Sequence, residues 1–141
     1  MAAAGVQKKS LDTPDETRDF EKGQLQTATI RDFKVARAIL QPGWKWSEHV
    51  RLIAQTDSCQ VRHTGYVVSG LMKVVMDDRS EMDLGPGDAY VIEAGHDAWV
   101  VGNEPFVGVD VSSEMVEAFA KEEEEEDKGL IDRAKDRLSG Q

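Results

Sequence analysis

The clearest pattern in the sequence is a series of short runs in which apolar and β-branched residues predominate. Each run is closed by Gly, Pro, Asp or Asn, the residues that favour turns. These runs predict β-strands at about positions 25–30, 33–40, 66–69, 71–76, 89–92, 98–101 and 105–111. Several short strands at a spacing of about 8–12 residues are typical of an all-β sandwich or barrel.

The two ends of the chain lack this pattern. Residues 1–16 are small and polar, which predicts a flexible N-terminal arm. Residues 114–141 are rich in helix formers and predict an acidic helical tail. The run Glu122–Glu126 could be a cation-binding patch, but neighbouring like charges repel and favour a solvated helix. The folded β-domain is therefore predicted to be residues 17–113.

Composition and charge narrow the class of protein. With 141 residues, 40% of them hydrophobic, the chain has the size of one soluble domain. A formal net charge of −10 argues against partners with many phosphates, so we expect neither nucleic acid nor a membrane surface. The sequence shows no apolar run of about 20 residues, and residues 1–20 contain no long apolar segment, so we expect neither a membrane-spanning helix nor a secretory leader. The single cysteine, Cys59, excludes an internal disulfide and predicts a cytoplasmic location.

Three glycines have the spacing of a known pair of motifs. The cupin family of small β-barrels carries a first motif, G-x5-H-x-H-x3,4-E-x6-G, and a second, G-x5-P-x-G-x2-H-x3-N. Residues 33–112 resemble this family: Gly70 takes the last position of the first motif, and Gly87 and Gly95 take two glycine positions of the second. Glu93 stands where the family has proline. The resemblance implies a single cupin-like antiparallel β-barrel or jelly roll, followed by a C-terminal helical segment.

The resemblance also implies where a metal would bind. In cupins, two histidines and a glutamate of the first motif and a histidine of the second hold a metal inside the barrel. Here those positions are Asp57, Cys59, His63 and Ala98, and His96 lies two residues before Ala98. Alternate residues of an extended strand share a face, so residues 57, 59 and 63 would point inward together, and His96 with Ala98. A thiolate, two imidazoles and a carboxylate suit zinc or iron(II).

Each of the four potential metal ligands also has a purely structural interpretation. His63 and His96 could be hydrogen-bonded residues at the start of a strand. Cys59 could be a small buried apolar residue. Asp57 could use its carboxylate to stabilise a local turn.

Three residues upstream are candidates for substrate binding. His49 lies where the first histidine of G-x5-H would follow Gly43, provided that a long loop is inserted in the motif, and it would then lie at the rim of the barrel mouth. Trp44 and Trp46 could form an aromatic wall of a pocket, with ordinary core packing as the alternative.

Two functions are compatible with the resemblance. The first is a metal-dependent enzyme that oxidises, isomerises or decarboxylates a small molecule, and the second is a metal-free cupin that binds or senses a ligand. The sequence leaves open whether the protein is an enzyme. Outward apolar residues on strands such as 66–68 predict a homodimer.

Overall fold

The computed structural model describes residues 5–111, and the predicted helical tail of residues 114–141 lies outside them. The strands are β1 (Glu16–Phe20), β2 (Gly23–Ile30), β3 (Phe33–Leu40), β4 (His63–Ser69), β5 (Leu71–Met76), β6 (Glu81–Leu84), β7 (Ala89–Ile92), β8 (His96–Val101) and β9 (Phe106–Val111). Two one-turn helices, α1 (Trp46–His49) and α2 (Arg51–Ala54), lie between β3 and β4. No helix within residues 5–111 has the length and apolar character needed to cross a membrane.

The strands form two antiparallel sheets. One sheet has six strands in the order β1-β2-β3-β9-β4-β7, and the other has three in the order β6-β5-β8. The prediction of an all-β fold is confirmed. Over the described residues the two sheets remain separate, so the architecture is a β-sandwich and not one closed barrel.

The core lies between the two sheets. Alternate residues of each strand point inward, and Val67 of β4 and Phe106 of β9 are almost fully buried, with exposed fractions of 0% and 3%. Val74 of β5 and Val100 of β8, in the three-stranded sheet, belong to the same buried cluster. The interior therefore receives side chains from both sheets, which brings residues far apart in sequence together.

Residues before β1 are bonded to the six-stranded sheet. The Arg37 guanidinium donates to the Leu11 carbonyl oxygen at 3.1 Å and to the Asp12 carboxylate at 2.9 Å. The Asp15 carboxylate accepts from the Thr29 amide at 2.8 Å. The end of the predicted N-terminal arm thus contacts β2 and β3.

The segment between β3 and β4 is hydrogen-bonded to β8. The Asp97 carboxylate accepts from the Ser47 amide at 3.1 Å, which fixes the start of α1. Farther along, the Cys59 amide donates to the His96 carbonyl oxygen at 2.7 Å, and the His96 amide donates back to the Cys59 carbonyl at 3.2 Å. This isolated bridge places Cys59 directly beside the first residue of β8.

Candidate metal centre

Cys59, His63 and His96 form a cluster at one end of the sandwich. His63 begins β4 of the six-stranded sheet, and His96 begins β8 of the three-stranded sheet. Cys59 joins them from the preceding loop through its bridge to His96. One potential ligand atom from each residue lies within 4.8 Å of the others. Because Cys59 and His96 are 6% and 3% exposed, the cluster is largely shielded from solvent.

The distances within the cluster are close to those of a metal site. The Cys59 Sγ and His63 Nε2 atoms are 3.8 Å apart. In a tetrahedral zinc site, a sulfur at about 2.3 Å and a nitrogen at about 2.0 Å from the metal are about 3.5 Å apart. The His63 and His96 rings meet edge to face, with their centroids 5.3 Å apart. A metal ion could therefore contact all three residues after only small movements.

The second nitrogen of each histidine already has a hydrogen-bond partner. His63 Nδ1 lies 2.9 Å from the Asp110 Oδ2 atom, and His96 Nδ1 lies 2.7 Å from the Glu93 carbonyl oxygen. Both partners only accept, so each Nδ1 carries a proton, and each Nε2 is the atom that could bind a metal once it is deprotonated. Metal-binding histidines commonly bond a carboxylate or a carbonyl in this way. The two histidines thus have the hydrogen-bond pattern that metal-binding histidines have.

Charge within the cluster is redistributed between the thiol and the imidazole. Burial alone would raise the pKa of Cys59, but hydrogen bonds with His63 and His96 outweigh it and lower that pKa to about 6. Burial likewise opposes the charge on His63, yet the Asp110 carboxylate and Cys59 raise the pKa of His63 to about 9. Without a metal, both shifts favour a Cys59 thiolate paired with a His63 imidazolium.

The acidic residue Asp110 is the hydrogen-bond partner of His63 Nδ1. Asp110 of β9 is 4% exposed, and its second oxygen, Oδ1, accepts a short hydrogen bond from the Tyr90 hydroxyl. Burial and the charge of Asp110 raise the pKa of Tyr90, so the phenol stays protonated. The carboxylate is therefore hydrogen-bonded on both oxygens.

Comparisons with known proteins give the fold. Neither a protein-family model nor a curated protein matches the sequence. A cupin-superfamily sugar phosphate isomerase from Silicibacter pomeroyi is 20% identical, with a TM-score of 0.53 over 74% of each chain. An RmlC-like cupin from Shewanella frigidimarina is 17% identical, with a TM-score of 0.52 over 74% of this chain and 87% of that one. A mutant oxalate decarboxylase from Bacillus subtilis is 17% identical, with a TM-score of 0.56 over 81% of this chain. The chain spans only 31% of that decarboxylase.

The chain has a cupin fold. The glycines that carried the resemblance have the backbone geometry that turns require. Gly70, Gly87 and Gly95 all have positive φ angles, of 81°, 91° and 90°. A Cβ atom on Gly70 would also lie 2.4 Å from the Pro105 carbonyl oxygen.

The structure does not bring Asp57 to the cluster of Cys59, His63 and His96. Its side chain is 99% exposed and forms an ion pair with Arg51 at 3.0 Å. Residues 56–58 are bends and not an extended strand, so the expected alternation of faces does not operate there. Asp57 lies instead in the lining of an open groove of about 700 Å³ that includes Ser58 and Gln60, the neighbours of Cys59.

The three residues predicted to bind substrate lie outside the cluster. The His49 side chain is 8% exposed, and its Nδ1 atom lies 3.0 Å from the Lys45 amide nitrogen, within its own helical turn. Trp44 and Trp46 are each 6% exposed and pack in the main core together with Cys59. Over the described residues the Trp44 indole N–H has no hydrogen-bond partner.

Asp110, Tyr90 and the carbonyl of Glu93 were not among the site residues predicted from the sequence. One indication was present for Asp110. It shares strand parity with Phe106 and Gly108 in an otherwise apolar strand, which places a carboxylate on the inward face. A buried carboxylate needs a partner, so this position could have been identified as part of a polar site.

Proposed function

We propose that the protein is a metal-dependent cupin enzyme that acts on a small molecule, with zinc or iron(II) held by Cys59, His63 and His96. The observation that carries the proposal is the convergence of one sulfur and two imidazoles within 4.8 Å. The hydrogen bonds at both Nδ1 atoms support it, because they leave the Nε2 atoms to face the metal. Asp57, the fourth ligand expected from the sequence, is not part of this proposal.

The donor set fits such a metal chemically. A thiolate and two neutral imidazoles favour zinc or iron(II) over magnesium or calcium, which prefer oxygen ligands. The lowered pKa of Cys59 supplies the thiolate at neutral pH. Three protein ligands leave a position for substrate or water, where a bound metal would act as a Lewis acid.

The residues of the chain would contribute orientation and exclusion of water. Asp110 and the Glu93 carbonyl hold the two imidazole rings in place. Burial of Cys59 and His96 keeps bulk water from the donors, which strengthens electrostatic interactions there. The cupin-fold structures above include one named as an isomerase and one as a decarboxylase, which are two of the three reaction classes considered from the sequence.

A metal-free ligand-binding cupin is the second candidate. The observation that favours it is the charge balance of the cluster, because a Cys59 thiolate beside a His63 imidazolium needs no cation to compensate it. In that case the same residues would recognise a ligand through hydrogen bonds and charge.

Metal analysis of the protein, purified without an affinity tag, separates the two candidates. The metal-dependent enzyme should carry close to one equivalent of zinc or iron, or take it up when metal is offered at neutral pH under anaerobic conditions. Cys59→Ala should lose this metal, and Asp57→Ala, which changes an exposed carboxylate two residues away, should retain it. A wild-type protein that takes up no metal would exclude the enzyme proposal and leave the ligand-binding one.

We also propose a second copy of the chain as a partner. Tyr66, Val68 and Val91 are 49%, 51% and 59% exposed on the outer side of β4 and β7, and β7 is an edge strand of its sheet. These apolar side chains would be covered in a homodimer. Sedimentation equilibrium should give a dimer mass for the wild type and a monomer mass for Val91→Glu; a wild-type monomer at all concentrations would refute the dimer.

A further inference from the structure

The buried carboxylate of Asp110 has a hydrogen-bond partner on each of its two oxygens. Its Oδ2 atom lies 2.9 Å from His63 Nδ1, and its Oδ1 atom accepts from the Tyr90 hydroxyl. A buried carboxylate is stable only when such partners compensate it. Because both oxygens are hydrogen-bonded, the orientation of the carboxylate is fixed, with Oδ2 directed at His63.

The Tyr90 hydroxyl reaches Asp110 by passing over a glycine. In the sheet, Gly65 of β4 pairs with Tyr90 of β7 on one side and with Asp110 of β9 on the other. A Cβ atom on Gly65 would lie 2.8 Å from both the Tyr90 hydroxyl and the Asp110 Oδ1 atom. Because Gly65 has no side chain, there is space for the hydrogen bond between Tyr90 and Asp110. Gly108 leaves similar room, because its Cβ would lie 3.2 Å from the same hydroxyl.

We propose that Tyr90 is a positioning residue for the metal centre: its hydroxyl fixes the Asp110 carboxylate, which holds the proton of His63 on Nδ1 and points Nε2 toward Cys59. This inference rests on the proposed function, since it assigns a role to His63 Nε2 as a ligand atom. Tyr90 and Asp110 do not contact the metal in this arrangement. They act through His63, as outer hydrogen-bond partners of metal-binding histidines do.

The chain offers a matched control for the test. Tyr90 and Tyr66 are its two tyrosines. Tyr66 is half exposed on the outer face of β4, whereas Tyr90 points to the interior. Tyr90→Phe and Tyr66→Phe thus each remove one phenol hydroxyl, and only the first removes the donor to Asp110. Asp110→Asn is a third variant, which removes the charge while preserving the shape.

The first measurement needs no metal. Proton NMR of the metal-free protein should show a downfield, slowly exchanging imidazole N–H signal that His63→Ala removes. Tyr90→Phe and Asp110→Asn should shift or broaden this signal, and Tyr66→Phe should leave it unchanged. A wild-type spectrum without the signal, or an unchanged signal in Tyr90→Phe, would overturn the inference even if the protein binds zinc.

The second measurement is zinc affinity by competition with a chelator. Tyr90→Phe should bind zinc about 10-fold more weakly than the wild type, and Asp110→Asn up to about 100-fold more weakly. Tyr66→Phe should bind as the wild type does. Equal affinities in the wild type and Tyr90→Phe would contradict the role of Tyr90. If the wild type binds neither zinc nor iron(II), the proposed function fails, and the NMR comparison still decides whether Tyr90 positions His63. Should Tyr90→Phe not fold, Asp110→Asn carries both measurements, and an unchanged signal or affinity in that variant would overturn the inference.

Discussion

The rings of His63 and His96 meet edge to face at a centroid distance of 5.3 Å, although they belong to different sheets. His63 starts a strand of the six-stranded sheet, and His96 starts a strand of the three-stranded one. A ligand that binds both rings would therefore connect the two layers of the sandwich. Binding should stabilise the fold as well as supply chemistry, because only the folded chain brings the two rings together.

Replacing His63 should remove metal binding. His63→Ala should weaken zinc binding by more than the roughly 100-fold that loss of an outer partner can cost. It also leaves the buried Asp110 carboxylate without its imidazole, so we expect the free energy of unfolding to fall by about 3 kcal/mol. Chelator competition and urea unfolding measure the two effects.

His49→Ala is the control for that variant. The His49 imidazole is buried against its own helical turn and is not part of the cluster. Its loss should leave zinc affinity unchanged. Equal zinc affinities in His63→Ala and the wild type would remove His63 from the site.

Zinc affinity should rise with pH across the range set by the two shifted groups. Zinc binds the deprotonated forms, and the pKa values of Cys59 and His63 are about 6 and about 9 without metal. Between these values Cys59 is already a thiolate, and zinc must displace the His63 proton. Affinity should therefore increase about tenfold per pH unit, flatten above the pKa of His63 and fall more steeply below that of Cys59. Competition titrations at several pH values test this; a flat profile between the two pKa values would show that His63 is not protonated there.

The reactivity of Cys59 gives an independent measurement of the thiolate. Alkylation proceeds through the thiolate, so in metal-free protein the rate should have its midpoint near pH 6 instead of near the usual thiol pKa of 9.0. Zinc should protect the residue, which is the only cysteine of the chain. Mass spectrometry of the alkylated protein gives the rate directly. In His63→Ala the midpoint should move upward, since a hydrogen-bond partner is lost; a midpoint near the usual value in the wild type would contradict the ion pair.

Strands with regular apolar patterns could be predicted closely from the sequence. The structure gives β3, β5 and β7 the predicted bounds, because apolar runs and turn-forming residues mark both ends of each. β1 and β6 were missed. Their sequences, ETRDF and EMDL, are mostly polar and exposed, and they form strands because each pairs with a neighbouring strand.

The candidate site could be predicted only in part. His63 and His96 are at the starts of strands, so strand parity places them on the inner face. The same rule fails for Asp57, because its segment is bent and not an extended strand. The position of Cys59 could not be derived from strand parity either, because it depends on a backbone bridge to His96 that no local sequence pattern encodes. The hydrogen bond between Tyr90 and Asp110 likewise depends on strand order, which places β4 between β7 and β9.

Gly65 should be the position at which a single methyl group disturbs both fold and site. A Cβ atom there would lie 2.1 Å from the Val109 carbonyl oxygen and 2.8 Å from the Tyr90 hydroxyl, so Gly65→Ala must displace a strand or break the hydrogen bond to Asp110. We expect a loss of about 1–3 kcal/mol in the free energy of unfolding, together with weaker zinc binding. Gly85→Ala is the matched control, since its Cβ would meet nothing nearer than a Leu71 methyl at 3.6 Å, an ordinary contact. Urea unfolding and zinc competition on the two variants separate the effects. If Gly65→Ala matched Gly85→Ala in both measurements, the close approach of Tyr90 and Asp110 across β4 would not exist in solution.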